Sequence, residues 1–165
     1  MFTIRKATSD DCKLINELAN QVFPATYKEI LSTEQLDYMM EWMYSEQSLR
    51  EQLRGGHVFY IASCDGEPCG YVSVERQGER LFHLQKIYVL PRFQGCGAGA
   101  FLFRTAVAHV RALQPGVCRM ELNVNRGNRA LYFYEHMGMR RLREGDFPIG
   151  NGYYMNDYIM GLDLG

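Results

Sequence analysis

Three glycines at alternating positions are the residues of this chain whose spacing points most directly to chemistry. Gly95, Gly97 and Gly99 follow a β-type run that Pro91 closes, and they precede a segment with helical periodicity. The first N–H groups of a helix have no partner inside it, and the helix dipole favours negative charge there. Glycine lets a ligand approach the backbone and tolerates positive φ. The stretch therefore predicts an anion site, and Arg92 beside it adds a cation suited to phosphate.

Two common phosphate-binding motifs do not fit this stretch. A P-loop needs Gly-Lys-Ser/Thr where the helix starts, whereas this chain has Gly97-Ala98-Gly99. A dinucleotide fingerprint needs G-x-G-x-x-G within a parallel βαβ unit and an acidic residue about 20 positions later. Glu121 stands at a comparable distance, but the glycine spacing differs and the preceding strand belongs to a run of hairpins. The pattern thus disfavours both kinds of nucleotide site.

The segment around the glycines resembles the acetyl-CoA motif of the GNAT (GCN5-related) N-acetyltransferase superfamily. That motif is a strand ending in V-x-P followed by [Q/R]-x-x-G-x-[G/A], and residues Val89 to Gly99 read VLPRFQGCGAG. Residues Asn128 to Met139 resemble a second motif of the family, N-x-x-A-x-x-F-Y-x-x-x-G-F, with Met139 in place of the final Phe. The opening residues Ile4 to Thr8 also look like the family's first strand. The resemblance covers essentially the whole chain. Within the superfamily, the chain is loosely similar to the bacterial polyamine-acetylating branch.

The resemblance implies a fold and a cofactor. The fold would be α+β, with a mixed, mostly antiparallel sheet of about seven strands flanked by about four to five helices. The co-substrate would be acetyl-CoA, with no metal ion. Peptide N–H groups of the Gly-rich turn would hold the pyrophosphate, and the backbone of the preceding strand would bind the pantetheine arm. The following strand would diverge near Asn123 to Asn125 and leave a slot for the thioester. The matching positions here are Ile87, Val89, Arg92, Gln94, Gly95, Cys96, Gly97, Ala98, Gly99, Asn125, Asn128 and Tyr134.

Tyr134 is the candidate general acid. Ala130, Phe133, Tyr134 and Met137 recur at helical spacing, which turns Tyr134 inward. In the family, the matching Tyr protonates the departing CoA thiolate. A thiol with a pKa near 8.5 and a phenol with a pKa near 10 make that transfer only mildly uphill in water. An inward Tyr that merely packs in the core is the alternative.

The general base is less sharply indicated. The attacking amine must be neutral, yet an amine with a pKa of about 10.4 is almost entirely protonated at pH 7. His83 lies on the strand before the Gly-rich turn, and Glu121 lies on the strand after it. Imidazole titrates nearest neutrality, although a lone His on a strand is often structural. Both residues remain candidates.

An aromatic and acidic segment follows the first predicted helix. Tyr27 and Trp42 are its candidate substrate-binding residues, because rings and carboxylates attract a cationic amine. The alternative is that these side chains are the core and solvent faces of ordinary helices. The expected acceptor is a polyamine or another small amine, with an amino acid, an aminoglycoside, or a peptide or protein amine as alternatives.

Periodicity and turn residues predict the elements that position these side chains. Strands are expected at residues 2–5, 58–63, 69–75, 81–90, 118–124, 139–144 and 153–162. The first helix is expected to run to about Phe23, where Pro24 ends or bends it. Capping-box patterns predict helix starts at Ser32 and at Ser48. Two more helices are expected at 97–113 and 128–137. We therefore predict one N-acetyltransferase domain over residues 1–165.

Composition limits the partners. The net charge is -1, with 18 basic and 19 acidic side chains, so no basic surface for nucleic acid is expected. The apolar runs are far shorter than the roughly 20 residues that span a bilayer. The five cysteines are odd in number and form no C-x-x-C pair, which disfavours disulfides and zinc. A cytoplasmic monomer or homodimer that binds acetyl-CoA and a small amine is expected. The main alternative is a catalytically silent acyl-CoA sensor, and a purely structural domain would not need the three glycines.

Overall fold

The strands form one seven-stranded sheet in the order β1-β2-β3-β4-β5-β7-β6 in the computed structural model, which describes residues 1–165. All neighbouring strands are antiparallel except β4 and β5, which are parallel. The expectation of an α+β fold with a mixed, mostly antiparallel sheet is therefore confirmed. The strands are β1 (Phe2–Lys6), β2 (Val58–Cys64), β3 (Glu67–Arg76), β4 (Leu81–Val89), β5 (Cys118–Asn125), β6 (Arg140–Gly150) and β7 (Tyr153–Leu164).

Five α-helices cover the two faces of the sheet. They are α1 (Cys12–Tyr27), α2 (Thr33–Tyr44), α3 (Glu46–Arg54), α4 (Ala98–Leu113) and α5 (Ala130–His136), with short 3-10 turns at Ser9–Asp11 and Pro91–Phe93. Side chains alternate across each strand, so β3 sends Val72 to the core beneath α4 and α5 and Tyr71 to the core beneath α1, α2 and α3. Each helical layer thus has its own apolar core. No helix has both the length and the apolar character needed to cross a membrane.

Two expected helix boundaries were wrong. Helix α1 continues through Pro24 to Tyr27 instead of ending at Phe23, because Phe23 and Tyr27 are both buried and their rings pack 4.7 Å apart. Tertiary packing of this last turn outweighs the hydrogen bond that proline cannot donate. Helix α3 is capped by Ser45, whose Oγ accepts the Ser48 N–H at 3.1 Å, and not by Ser48. The Ser48 hydroxyl instead donates to the Trp42 carbonyl.

Strands β4 and β5 stay together for only three residues. Leu81–His83 pairs with Arg119–Glu121, and beyond this point the two strands have no pairing although both continue. A β-bulge lies at the same level of β4, because Ser73 pairs with Lys86 and Val74 pairs with Leu84, which leaves Gln85 as the extra residue. The sheet therefore opens between β4 and β5, as the slot expected near Asn123 to Asn125 requires.

Close packing of β3 against β4 predicts a large effect of Gly70→Ala. A Cβ at Gly70 would lie 2.4 Å from the Tyr88 carbonyl oxygen, a backbone atom that cannot move without displacing β4. We expect a loss of about 3 kcal/mol and a melting temperature lower by roughly 10 °C. Gly78→Ala in the β3–β4 turn is the matched control, because its Cβ would meet only Leu81 at 3.7 Å. Equal melting temperatures for the two variants would contradict this packing.

Candidate functional site

A cleft of about 620 Å³ leads to the opening between β4 and β5. The end of β4, the Gly-rich turn, α1 and α5 supply its walls. Of the positions expected to bind the cofactor, the cleft is lined by Ile87, Val89, Gln94, Gly99, Asn128 and Tyr134. A much narrower cavity continues between the separated strands, where Tyr27, Lys86 and Asn123 contribute to the lining. Ile87, Tyr88, Asn128 and Tyr134 line both parts, so these residues mark the junction between the wide outer cleft and the narrow inner cavity.

The Gly-rich turn presents a row of unbonded N–H groups. Gly95 and Gly97 have φ values of 82° and 93°, a left-handed conformation that side chains disfavour. Gly97 is the N-cap of α4 and offers no side-chain acceptor to the helix. The N–H groups of residues 95 to 100, which include Cys96 and Ala98, donate to no backbone acceptor. The first turn of α4 contains no acidic residue, so its dipole is available to an anion.

The positively charged side chain that reaches the cleft is not the expected Arg92. Arg92 pairs with Glu67 and lies over the Phe93 ring at 5.0 Å, and it does not line the cleft. Arg129, which precedes α5, does line the cleft. Sequence reasoning missed Arg129, although it stands in the quoted segment Asn128 to Met139. The structure therefore brings Arg129, and not Arg92, to the cleft wall.

Asn125 and Asn128 shape the turn between β5 and α5. Asn125 Oδ1 accepts the Gly127 N–H at 2.8 Å, and Asn128 Oδ1 accepts the Ala130 N–H at 2.9 Å. Asn128 Nδ2 also donates to the Tyr27 hydroxyl at 3.4 Å. Asn125 is buried and lines neither part of the cleft, whereas Asn128 lines both. Asn128 thus joins the cleft wall to the start of α5.

Tyr134 lies at the junction of the outer cleft and the inner cavity. Its side chain is on the inward face of α5, only 7% exposed, and its ring meets that of Phe133 edge-on at 5.5 Å. Burial raises the pKa of the phenol well above its ordinary value. The hydroxyl therefore stays protonated through the neutral pH range and is available as a proton donor.

The two aromatic residues expected to bind substrate lie in different environments. Tyr27 is buried beside the inner cavity, and its hydroxyl is 3.1 Å from that of Tyr88. Trp42 lines neither part of the cleft. Its side chain is 48% exposed on α2, where it stacks with Tyr38 at 6.1 Å. The structure therefore brings Tyr27 to the cleft and leaves Trp42 outside it.

The candidate bases His83 and Glu121 face each other across the last paired step of β4 and β5. The nearly buried carboxylate of Glu121 lies 3.2 Å from Arg143 and 3.8 Å from Arg119, so two guanidinium groups engage it. His83 Nε2 lies 2.9 Å from Asn123 Oδ1, while its Nδ1 is buried and has no partner in the protein. His83 thus retains a free ring nitrogen, and Glu121 has no oxygen free of arginine.

Sequence reasoning missed two buried charged residues near the cleft. Lys86 Nζ donates to Gln52 Oε1 at 2.7 Å and lies over the rings of Tyr44 and Phe59. Burial lowers the pKa of Lys86 to about 8. Asp157 on β7 is only 5% exposed, and burial raises its pKa. The signal available in the sequence was a charged residue within an otherwise core-like strand pattern at each position.

Comparisons with known proteins point to the same family as the two sequence motifs. Residues 15–139 match the family model described as the acetyltransferase (GNAT) family. An uncharacterized N-acetyltransferase of Mycobacterium tuberculosis is 29% identical over 156 residues, which cover 93% of this chain and 98% of the relative. The thialysine N-ε-acetyltransferase of Bos taurus is 30% identical over 159 residues, covering 87% of this chain and 86% of the relative.

The fold has close counterparts among solved structures. The crystal structure of the PaiA N-acetyltransferase from Thermoplasma acidophilum, in complex with coenzyme A, matches with a TM-score of 0.82. The match covers 99% of both chains at 20% sequence identity. At that identity the similarity shows the fold, which is shared over nearly the full length of both chains.

The buried Lys86 predicts a distinctive pH dependence of stability. Its folded-state pKa of about 8 lies below the unfolded value, so the folded protein binds fewer protons between these pH values. Stability from this group therefore rises as pH increases from about 8 to about 10. We expect wild type to gain about 2 kcal/mol relative to Lys86→Met over this range, as measured by urea unfolding.

Lys13→Met is the control for the loss of one lysine, because Lys13 is on the exposed side of α1. The comparison uses the change between pH 7 and pH 10 and not the absolute stability, since Lys86→Met also leaves Gln52 Oε1 without its donor. A constant difference between wild type and Lys86→Met would contradict the prediction.

Proposed function

The chain belongs to the acetyltransferase (GNAT) family, and on this basis we propose that it transfers the acetyl group of acetyl-CoA to a small primary amine. The observation that carries the proposal is one continuous cleft that joins three features. A row of free N–H groups lies at its outer end, separated strands form its inner end, and Tyr134 lies at the junction. Pyrophosphate, pantetheine arm and thioester need these features in this order.

Backbone groups supply most of the donor site. The pyrophosphate binds the N–H groups of residues 95 to 100, and Arg129 adds a positive charge on the cleft wall. Beyond His83, the edge of β4 that faces β5 has no strand partner. Its polar groups around Ile87 are therefore free to pair with the amides of the pantetheine arm, while the Val89 carbonyl accepts a hydrogen bond from Gln94 Nε2 at 3.2 Å. The coenzyme A complex of the Thermoplasma protein, which shares the fold, supports this choice of donor.

The acceptor is proposed to be a polyamine or another small amine, such as a lysine-like side chain. The bovine relative is named for acetylation of the ε-nitrogen of thialysine, which is a primary amine on a short chain. The narrow inner cavity of about 20 Å³ admits little more than the reacting groups. A peptide or protein amine is the competing acceptor class.

The reaction we propose is direct transfer. The neutral amine attacks the thioester carbonyl, the C–N bond forms, and the C–S bond breaks. Tyr134 gives its hydroxyl proton to the departing thiolate, and His83 is the preferred base because arginines engage both oxygens of Glu121. The proton lost by the amine and the proton later regained by Tyr134 exchange with solvent.

Tyr134→Phe should lower turnover on the order of 100-fold, because general acid catalysis contributes about that much or more. Acetyl-CoA affinity should change by no more than about threefold, since the ring and its packing remain. Steady-state kinetics and titration calorimetry measure the two quantities. Tyr132→Phe removes a hydroxyl from the exposed side of the same helix and is the control. Equal turnover in the two variants would refute the acid role.

An amine panel tests the proposed function itself. With acetyl-CoA and a set of polyamines, thialysine, amino acids, aminoglycosides and peptides, we expect thiol release with the small cationic amines and a rise in melting temperature with acetyl-CoA alone. Stabilisation by acetyl-CoA without thiol release from any acceptor would instead indicate an acyl-CoA sensor. Preference for a peptide or protein amine would overturn the proposed acceptor class.

A further inference from the structure

Two tyrosine hydroxyls form a pair at the inner end of the cleft. Tyr27 is the last residue of α1 and Tyr88 lies near the end of β4, and their hydroxyl oxygens are 3.1 Å apart. Both residues line the inner cavity, and Tyr88 also lines the outer cleft. The side chain of Tyr27 is otherwise buried, at 5% exposed. Its hydroxyl therefore depends on the protein and on the contents of the cavity for its hydrogen bonds.

Asn128 fixes the direction of one hydrogen bond to this pair. Its Oδ1 accepts the Ala130 N–H at 2.9 Å, so turning the amide around would place two donors face to face. Its Nδ2 therefore points to Tyr27 and donates to the hydroxyl oxygen at 3.4 Å. The Tyr27 oxygen is the acceptor in this contact, and Asn128 leaves the Tyr27 proton unused.

The pair has two hydroxyl protons and one mutual hydrogen bond. That bond uses one proton, and the chain places no other acceptor within hydrogen-bond distance of either hydroxyl. We assign the remaining proton to Tyr27, because its oxygen then accepts from both Tyr88 and Asn128, and such a chain polarises the Tyr27 O–H bond. Burial raises the pKa of Tyr27, and these two hydrogen bonds act in the opposite direction. Tyr27 thus has a strengthened O–H donor and no protein acceptor for it.

Tyr27 and Tyr134 reach the cavity from opposite faces of the sheet. Tyr134 belongs to the core beneath α4 and α5, whereas Tyr27 belongs to the core beneath α1, α2 and α3. After burial, Tyr27 is the second cause of the raised pKa of Tyr134, as expected for two phenols that share a small cavity. The cavity measures about 20 Å³, which is room for one small group. The two phenols therefore approach that group from different sides.

A free O–H donor selects its ligand by polarity. An ammonium group carries only donors, so it cannot accept the Tyr27 proton. The thioester carbonyl oxygen carries only acceptor lone pairs, and it becomes negatively charged when the amine attacks the carbonyl carbon. A donor that is already positioned and removed from water is most effective at such a developing charge. The thioester carbonyl is thus the reacting group that matches Tyr27.

We propose that Tyr27 is a catalytic residue whose hydroxyl donates to the thioester carbonyl oxygen, with Tyr88 and Asn128 as its positioning residues. The proposal rests on the function proposed above and adds a residue to the half of the site in which the amine meets the acyl group. As the amine adds to the carbonyl carbon, the π electrons of the carbonyl move onto oxygen, and the hydrogen bond from Tyr27 strengthens. The carbonyl then re-forms, the C–S bond breaks, and Tyr134 gives its proton to the thiolate. Tyr27 keeps its own proton throughout.

The first test measures this hydrogen bond without any amine. Acetyl-CoA labelled isotopically at the thioester carbonyl is bound to wild type and to Tyr27→Phe, and isotope-edited infrared spectroscopy records the carbonyl stretch. A hydrogen bond weakens the C=O bond, so we expect a lower stretching frequency in wild type than in Tyr27→Phe. Identical frequencies in the two proteins would overturn the proposal.

The second test is turnover, with the amine of the panel above that gives the fastest thiol release. Tyr27→Phe should lower kcat on the order of 100-fold, as loss of one oxyanion donor does, while acetyl-CoA affinity changes by no more than about threefold. Tyr44→Phe is the matched control, because Tyr44 accepts from Tyr71 at 2.9 Å in the same core and lines no part of the cleft. Both variants lose one oxygen of a buried tyrosine pair, so their melting temperatures should fall by similar amounts. Equal kcat values for the two variants would contradict the catalytic role.

Tyr88→Phe separates the donor from the residue that positions it. This variant keeps the Tyr27 proton and removes one hydrogen bond to the Tyr27 oxygen, so its carbonyl frequency should lie between those of wild type and Tyr27→Phe. A frequency above that of Tyr27→Phe would make Tyr88 the donor and overturn the assignment. Failure of the proposed function has a different signature, since wild type would then bind acetyl-CoA with a lowered carbonyl frequency and release no thiol with any amine.

Discussion

The proposed active site depends on the point at which β4 and β5 stop pairing. Parallel strands normally continue their hydrogen bonds along their shared length, and here they lose them after three steps. The bulge at Gln85 redirects β4, while β5 stays paired with β7 along its full length. The open edge leaves polar backbone groups beside a cavity, and a polar ligand can satisfy them. Every proposed step of the reaction takes place at this opening.

Burial next to the opening determines the chemistry of its side chains. Tyr27, Tyr88 and Tyr134 are removed from water, and burial raises the pKa of each phenol, which keeps proton donors in their protonated form. The same effect lowers the pKa of Lys86 and raises that of Asp157, so burial favours the neutral form of each. A cavity of this kind favours proton transfer to a departing thiolate and retains few fixed charges.

The sequence predicted the features that depend on neighbouring residues and missed those that depend on distant ones. Gly95 and Gly97 need positive φ, and Tyr134 follows a 3.6-residue period, so both are visible in a short window. The continuation of α1 through Pro24 depends on burial of Tyr27, and the engagement of Arg92 depends on Glu67 of β3. The burial of Asp157 depends on the register of β7 against β5. These contacts join residues far apart in the chain, and local periodicity contains no information about them.

The donor and acceptor halves of the proposed site differ in the same way, since one depends on local sequence and the other on contacts between distant residues. The proposed donor half consists mostly of backbone N–H groups and an open strand edge, so it requires glycines and a strand geometry and tolerates many side chains. Such a half can be common to relatives that are only about 30% identical, such as the bovine enzyme. The proposed acceptor half consists of side chains, among them Tyr27 of α1 and His83 of β4, that meet only in the folded protein. Changing one of them alters charge or hydrogen bonding at the amine without disturbing the cofactor turn. Under this proposal, acceptor choice can diverge while acetyl-CoA binding is preserved.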